Sequence, residues 1–169
     1  MKIWTVGHST HPIESFKQIL LAHQIELLVD VRTYPGSRRY PQFNKSVLAE
    51  SLGIKYQHEP RLGGRRTPRK DSHNTAWRNA QFRGYADHME TDEFKEGIKV
   101  LLELAKHSRT TVMCAEAVWW RCHRSLIADY LKAEGHTVIH IMGTNKTEEH
   151  PFTSAASIVE GKLSYRGLF

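Results

Sequence analysis

The chain has 169 residues, a net charge of +6, 40% apolar residues and 25% charged residues, which is typical of one soluble globular domain. No apolar run is long enough to span a membrane and the start has no signal-peptide pattern, so we expect a cytoplasmic protein without a membrane partner. Two cysteines are too few for a disulfide framework, and a reducing compartment would keep them as free thiols.

The first half of the chain alternates predicted strands with predicted helices. Residues 2–6 form a short β-rich run, which "GHSTHP" interrupts before a helical pattern begins at Pro12. A nearly continuous apolar run at 26–31 is typical of a buried parallel strand. After a loop with two prolines and a glycine, the pattern predicts a helix over 45–53 and a third strand over 54–59.

The second half repeats this alternation. It is predicted to contain a long loop, two helices, a strand, a third helix and a last strand, at 60–78, 80–89, 91–107, 110–116, 121–135 and 136–142. The order predicts a single α/β domain over 1–169, with an open, mostly parallel sheet of about five strands and helices on both faces.

Polar side chains follow three of the predicted strands. Ligands of open α/β sheets bind beyond the carboxyl ends of the strands, so we expect these side chains to share one crevice. They are His8, Ser9 and Thr10 after the first strand, Asp30 and Arg32 after the second, and Cys114, Glu116, Arg121, His123 and Arg124 after the fourth.

The two cysteines have different predicted environments. Cys114 ends a strand and faces a helix N-terminus, whose partial positive charge and neighbouring cations would lower the pKa of its thiol. It is the predicted nucleophile, with a small buried residue at a strand end as the alternative. Cys122 shares a helical stripe with Leu126 and Tyr130, which predicts a core position.

Two carboxylates and a histidine are candidate acid–base groups. Asp30 leaves a buried strand and Glu116 follows Cys114 closely, so either could act as a general acid or base or stabilise a cation. His8 is a further candidate acid or base. The alternatives are a structural carboxylate and a histidine that only hydrogen-bonds to its loop.

Cations cluster at the start of the last predicted helix, in "RCHR". Arg121, His123 and Arg124 would be unfavourable there unless an anion is present, so we predict anion or substrate binding, with an ion pair to Glu116 as the alternative. The spacing of the histidines and cysteines fits no metal site, so no metal is predicted.

Two further stretches, "RRYPQFNK" at 38–45 and "RLGGRRTPRK" at 61–70, carry eight of the 24 lysines and arginines and no acid. Such clustering favours nucleic acid as a partner, with a solvated surface as the alternative. The predicted nucleic-acid-binding residues are Arg38, Arg39, Arg61, Arg65, Arg66, Arg69 and Lys70. Gln42 and Asn44 could contact a base, and Trp119 and Trp120 could stack on one.

Six segments occur in order along the chain: "VGHST", "ELLVDVR", "PQFN", "LGG", "CAE" and "RCHRSLIADYL". As a set they resemble the DUF488 family of uncharacterised bacterial and archaeal proteins, which implies a compact α/β domain without an agreed activity. The loop after Cys114 is also distantly similar to rhodanese and cysteine-phosphatase sites. Those loops place an arginine one position closer to the cysteine than Arg121 lies here.

These patterns leave three interpretations of function open. The first is a hydrolase-like enzyme acting on nucleic acid or a nucleotide, at the base or its glycosidic bond, through Asp30 and Glu116. The second is a thiol enzyme that transfers sulfur or phosphate through Cys114. The third is a nucleic-acid-binding module without catalysis. No cofactor is predicted in any of them.

Overall fold

The computed structural model describes residues 1–167. Its helices and strands are, in chain order, β1 (Lys2–Gly7), α1 (Ile13–Ala22), β2 (Leu27–Asp30), α2 (Lys45–Ser51), β3 (Lys55–His58), α3 (Ala80–His88), α4 (Asp92–Ala105), β4 (Thr110–Cys114), α5 (Arg124–Ala133), β5 (Thr137–Gly143), β6 (Lys146–Glu149), β7 (Ser157–Val159) and β8 (Lys162–Ser164). No helix of this part of the chain is both long and apolar enough to cross a membrane.

The main sheet has the strand order β3-β2-β4-β1-β5-β6. The first five of these strands are parallel, and β6 runs antiparallel to β5. The predicted mostly parallel α/β sheet with helices on both faces is confirmed. The prediction of about five strands omitted β6 and the separate β7–β8 hairpin, whose sequences have no apolar run and whose residues are mostly exposed.

Side chains of the buried strands alternate between two cores. Val29 and Val112 face α3, α4 and α5, while Leu28 and Met113 face α1 and α2. Because each face is covered by helices, both sets of apolar side chains are removed from water, which is why these strands read as continuous apolar runs.

The register of the central strands brings their carboxyl ends to one edge. Gly7 of β1 pairs with Cys114 of β4, and Asp30 of β2 pairs with Met113 of β4. The loops that follow β1, β2 and β4 therefore begin side by side. This confirms the prediction that Ser9, Asp30 and Cys114 lie at the same end of the sheet.

Candidate functional site

A cavity of about 560 Å³ opens at this edge of the sheet. The predicted site residues that line it are His8, Ser9, Thr10, Arg32, Arg65, Cys114, Glu116, Arg121 and His123. Cys122 lines it as well, together with Tyr34 from the loop after β2 and Tyr85 from α3. The crevice predicted from the strand ends is thus present, and it includes a second thiol.

The loop between β4 and α5 folds back over the end of β1. Arg124, which is buried, donates from Nη2 to the carbonyl oxygens of Glu116 at 2.9 Å and Ala117 at 3.5 Å. Glycine is required at position 7, because a Cβ there would overlap the Glu116 carbonyl oxygen. Arg124 itself does not line the cavity, so its predicted role as an anion contact is wrong and it organises the loop instead.

The two thiols meet at the floor of the cavity. The Sγ atoms of Cys114 and Cys122 lie 2.6 Å apart and share a hydrogen bond. The backbone N–H of Arg124 also donates to Cys122 Sγ, at 3.4 Å. Because α5 begins at Arg124 and not at Arg121, Cys122 precedes the N-terminus of the helix, where the helix dipole and free N–H groups favour an anion.

The two thiols therefore have opposite acidities. Burial alone would raise the pKa of Cys122, but the hydrogen bond with Cys114 and the charge and N–H of Arg124 outweigh it and lower that pKa. Burial and the neighbouring Cys122 sulfur raise the pKa of Cys114. The predicted core position of Cys122 is confirmed. The directions of the two pKa shifts favour Cys122 over the predicted Cys114 as the thiolate, and the identity of the nucleophile stays a prediction. The cations of "RCHR", adjacent to Cys122 in sequence, are the local signal for this direction.

His123 is held as a neutral neighbour of the Cys122 thiol. Its Nε2–H donates to the carbonyl oxygen of Val31 at 2.8 Å, which leaves Nδ1 unprotonated and 3.4 Å from Cys122 Sγ. Burial lowers the pKa of His123, which favours its neutral form, and its predicted contact to an anion stays a prediction. Nδ1 is placed to accept the proton of the thiol.

Asp30 lies beneath the cavity and not in it. It is fully buried, and its carboxylate accepts bonds from Arg32 Nε at 2.9 Å, Arg32 Nη2 at 2.7 Å and Tyr56 at 2.5 Å. The two bonds from Arg32 hold that side chain in place, and the Tyr56 hydroxyl bonds to the same carboxylate. Asp30 does not line the cavity, so the structure gives its predicted acid–base role no support. Glu116 is exposed at the cavity, and its acid–base role stays a prediction.

His8 is neutral and orients Arg32. Its Nδ1–H donates to the carbonyl oxygen of Ser9 at 2.8 Å, and its ring stacks on Phe43 at 4.2 Å. Burial lowers its pKa to about 4, so it is not a general acid near neutral pH, contrary to that part of the prediction. Its Nε2 lies 3.4 Å from Arg32 Nη1. Among the described residues Nη1 has only this long contact, so it keeps donor capacity for a ligand.

Four residues predicted to contact a base do not line the cavity. Gln42 donates to the carbonyl oxygen of His11 at 3.0 Å, and Asn44 accepts the N–H of Ser37 at 2.5 Å. Trp119 stacks on His140 with 4.6 Å between ring centroids. Trp120 is exposed to solvent but is not part of the cavity lining. The two amides organise the loop after β2, and the buried tryptophan covers β5. Base contact by these residues is therefore not supported.

Acids from other parts of the chain neutralise much of the basic loop at 61–70. Arg61 forms a bidentate pair with Glu59 at 2.7 and 2.9 Å, and Arg69 bonds to Glu90 at 3.0 Å. Arg66 donates to the Gly63 carbonyl oxygen and lies 3.8 Å from Glu93. These three arginines are thus partly neutralised within the chain, and their phosphate contacts stay a prediction. Within residues 1–167, the exposed cations without an ion pair include Arg38, Arg39, Arg65, Lys70 and Arg121.

A buried relay of hydrogen bonds connects Arg124 to Asp129. Arg124 Nη1 donates to Thr5 at 3.3 Å, and Thr5 bonds to His140 Nδ1 at 2.5 Å. His140 Nε2 contacts His150 Nδ1 at 2.8 Å, and His150 Nε2 contacts Asp129 at 2.8 Å. Burial lowers the pKa of His140 to about 2, which keeps its ring neutral. Because the Asp129 carboxylate only accepts, His150 Nε2 and then His140 Nε2 carry the protons, and Thr5 donates to His140 Nδ1. The relay fixes Arg124 without placing a carboxylate against it.

Sequence reasoning did not find this relay, since its members are spread from β1 to the segment after β6. Each is an ordinary polar residue in its own segment, and only the pairing of β1 with β5 and the packing of α5 bring them together. Arg124 Nε has no hydrogen-bond acceptor within the described part of the chain. A buried guanidinium without a direct carboxylate partner favours ionisation of a nearby thiol.

Comparison with known proteins gives one match. No curated protein and no solved structure matches the chain. The model of the family described as Domain of unknown function DUF488 matches residues 12–131, which include β2, β4, both thiols and most of α5. The chain belongs to the DUF488 family.

Proposed function

We propose that the protein is a thiol-dependent enzyme in which Cys122 attacks an anionic substrate. The observation that carries this proposal is the position of the Cys122 thiol at the floor of the cavity, between the Arg124 N–H, His123 Nδ1 and the Cys114 sulfur. The hydrogen bond with Cys114 and the charge and N–H of Arg124 lower the pKa of Cys122 despite its burial. A thiolate is the nucleophilic form of cysteine, so the arrangement favours covalent catalysis.

Charge in the cavity favours an anionic substrate. Arg32, Arg65 and Arg121 line it, while Glu116 is the one carboxylate among the described lining residues. Ser9 and Arg65 also have positive φ angles of 50° and 59°, which non-glycine residues rarely adopt. Such strain is retained mostly where function requires a particular backbone. These features support substrate binding at the site.

Carboxylate chemistry on a nucleic-acid base has less support. It needs a carboxylate beside the reacting bond, and Asp30 is enclosed by Arg32 and Tyr56 outside the cavity. We therefore favour thiol chemistry over carboxylate chemistry, and we propose Cys122 as the nucleophile in place of Cys114.

Alkylation tests the assignment of the nucleophile. We expect iodoacetamide to label Cys122 before Cys114 in the folded protein, with a labelling rate that levels off below the ordinary thiol pKa of about 8.5. Trypsin cleavage after Arg121 and Arg124 separates the two thiols into peptides 110–121 and 122–124, so mass spectrometry follows each one. Cys122→Ser should abolish rapid labelling and Cys114→Ser should keep it. Faster labelling of Cys114, or equal resistance of both thiols, would contradict the proposal.

Nucleic-acid binding is a second candidate function, which the exposed cations around the cavity favour. Arg38 and Arg39 lie between Ser37 and Tyr40, which line the cavity, and Arg65 lines it directly. A nucleic acid bound here would place phosphates on these cations. The same surface could present a nucleotide to the thiol, so this candidate is compatible with the first.

Salt dependence tests this second candidate. Four phosphate contacts on a duplex should make log K fall with log salt at a slope of roughly −3.6, and Arg65→Ala should flatten that slope by about 0.9. Arg69→Ala is the matched control, because Arg69 is already paired with Glu90 and its loss should change the slope less. Fluorescence anisotropy of a labelled duplex gives both values. Binding too weak to measure at low salt would contradict the candidate.

A further inference from the structure

The cavity contains a second thiol, Cys114. Attack by Cys122 alone gives this thiol no role. The chain contains no cysteines besides these two, both line the same cavity, and their sulfur atoms are 2.6 Å apart. Phosphoryl transfer needs one nucleophilic thiol. Reduction of a disulfide needs two, because one thiol attacks the substrate and the other releases it.

We propose that the protein reduces anionic disulfides, with Cys122 as the attacking thiol and Cys114 as the resolving thiol. This inference rests on the proposed function, since it keeps Cys122 as the nucleophile and adds the class of substrate.

The chemistry balances in two exchanges. In the first, the Cys122 thiolate attacks one sulfur of the substrate R–S–S–R′, forming Cys122–S–S–R and releasing R′S⁻. In the second, the proton of Cys114 passes to the solvent or a leaving thiolate, and the Cys114 thiolate attacks Cys122 Sγ and releases RS⁻. Two electrons pass from the protein thiols to the substrate. The new Cys114–Cys122 disulfide is returned to two thiols by an external thiol reductant, such as dithiothreitol in an assay.

The fold holds both sulfurs in reach of each other. Cys114 is fixed by the pairing of β4 with β1 and β2, and Cys122 lies directly before α5. The loop between them is held by the bonds from Arg124 to the Glu116 and Ala117 carbonyl oxygens. Both thiols are therefore carried by the ends of regular elements, and the second exchange requires little movement of the backbone.

The acidities of the two thiols set the order of the steps. The Cys122 sulfur is one of the causes that raise the pKa of Cys114. Once Cys122 is bound to the substrate sulfur its charge is gone, so the Cys114 thiol becomes easier to ionise. Cys114 thus keeps its proton until the first exchange is complete. The charge of the substrate follows from Arg32, Arg65 and Arg121, which line the cavity beside the thiols.

The test uses 5,5′-dithiobis(2-nitrobenzoate), an anionic disulfide that releases a coloured thiolate at each exchange. With equimolar reagent, we expect the wild-type protein to release two thiolates per chain, to retain no label and to lose two hydrogen atoms. After tryptic digestion without reductant, peptide 110–121 should be linked to peptide 122–124. This readout needs no variant, so it does not depend on whether a substituted protein folds.

Variants separate the two roles. Cys114→Ser should release one thiolate per chain and keep a stable label on Cys122. Cys122→Ser should release thiolate more slowly than the wild-type protein does. Cys114→Ala and Cys122→Ala repeat the comparison if either serine variant misfolds. One thiolate and a stable label in the wild-type protein would overturn the inference and leave the proposed function standing. Wild-type speed in Cys122→Ser would overturn both, because the nucleophile would then be elsewhere.

A pair of probes tests the charge of the substrate. Oxidised glutathione is an anionic disulfide and cystamine is a cationic one. After division by the rate of each probe with free cysteine, we expect the anionic probe to react about tenfold faster or more with the wild-type protein at low salt. Arg65→Gln should reduce that ratio. A ratio of one or below would overturn the assignment of an anionic substrate.

Discussion

Replacing Gly7 by alanine should destabilise the protein by about 3 kcal/mol and slow the alkylation of Cys122, because the added methyl group overlaps the Glu116 carbonyl oxygen. The atom in the way is backbone, and Arg124 Nη2 holds it at 2.9 Å. The loop cannot move aside without breaking that bond, and β1 is held by its pairing with β4 and β5. The loop would therefore shift together with the thiols that it connects.

Gly36→Ala is the matched control for this substitution. Gly36 also lines the cavity, but nothing lies within 4 Å of a Cβ built there and its φ is not in the left-handed region. Its replacement should change the free energy of unfolding by less than about 0.5 kcal/mol. Urea unfolding followed by tryptophan fluorescence measures both variants. Equal stability and equal Cys122 reactivity for Gly7→Ala and the wild-type protein would contradict this account of the loop.

Replacing Arg124 by methionine should raise the pKa of the Cys122 thiol, so that alkylation at pH 7 slows about tenfold. The charge of Arg124 is one of the causes that lower this pKa, and its backbone N–H donates to the sulfur. The sign follows from the charge: without the buried cation, the thiolate loses stabilisation and forms at higher pH. The pH profile of alkylation measures the shift directly.

Four further variants separate the charge of Arg124 from its contacts. Arg124→Lys keeps the charge but not the paired bonds to the loop, and should give an intermediate pKa. Thr5→Val breaks the relay to His140 at 2.5 Å and should raise the Cys122 pKa, whereas Thr5→Ser keeps the hydroxyl and should not. Arg121→Gln removes an exposed cation at the mouth, whose effect is screened by solvent and should be smaller. A folded Arg124→Met variant with the wild-type pH profile would exclude the role assigned to this cation.

The architecture of the sheet was predictable from local patterns. Apolar runs such as 26–31 identify buried strands, and the helical period and Thr91 cap identify α4, whose first turn begins at Asp92 with Thr91 accepting the N–H of Phe94 at 3.2 Å. Parallel strands then require their carboxyl ends to share an edge, so the position of the crevice followed as well. Periodicity reports burial, and burial decides where strands and helices form.

The chemistry of individual residues depended on contacts that periodicity does not encode. A start of α5 three residues later than predicted placed Cys122 directly before the helix while keeping it in the core, and so reversed the predicted directions of the two thiol pKa shifts. Asp30 does not line the predicted crevice, because its carboxylate is bonded to Arg32 and Tyr56 beneath it. Shifting a helix boundary by a few residues changes the local free energy only slightly, so tertiary packing can override the local preference.

Length, composition and strand pattern by themselves determined an α/β sheet with a polar crevice at the ends of β1, β2 and β4. The tertiary structure alone decided which cations near that crevice are neutralised and what surrounds Arg124, since Glu90 and Glu93 pair with arginines more than twenty residues away in sequence and the relay joins Thr5 to Asp129 through His140 and His150. The physical reason is that ionisation depends on distance and burial in three dimensions, which hydrophobic periodicity along the chain does not record.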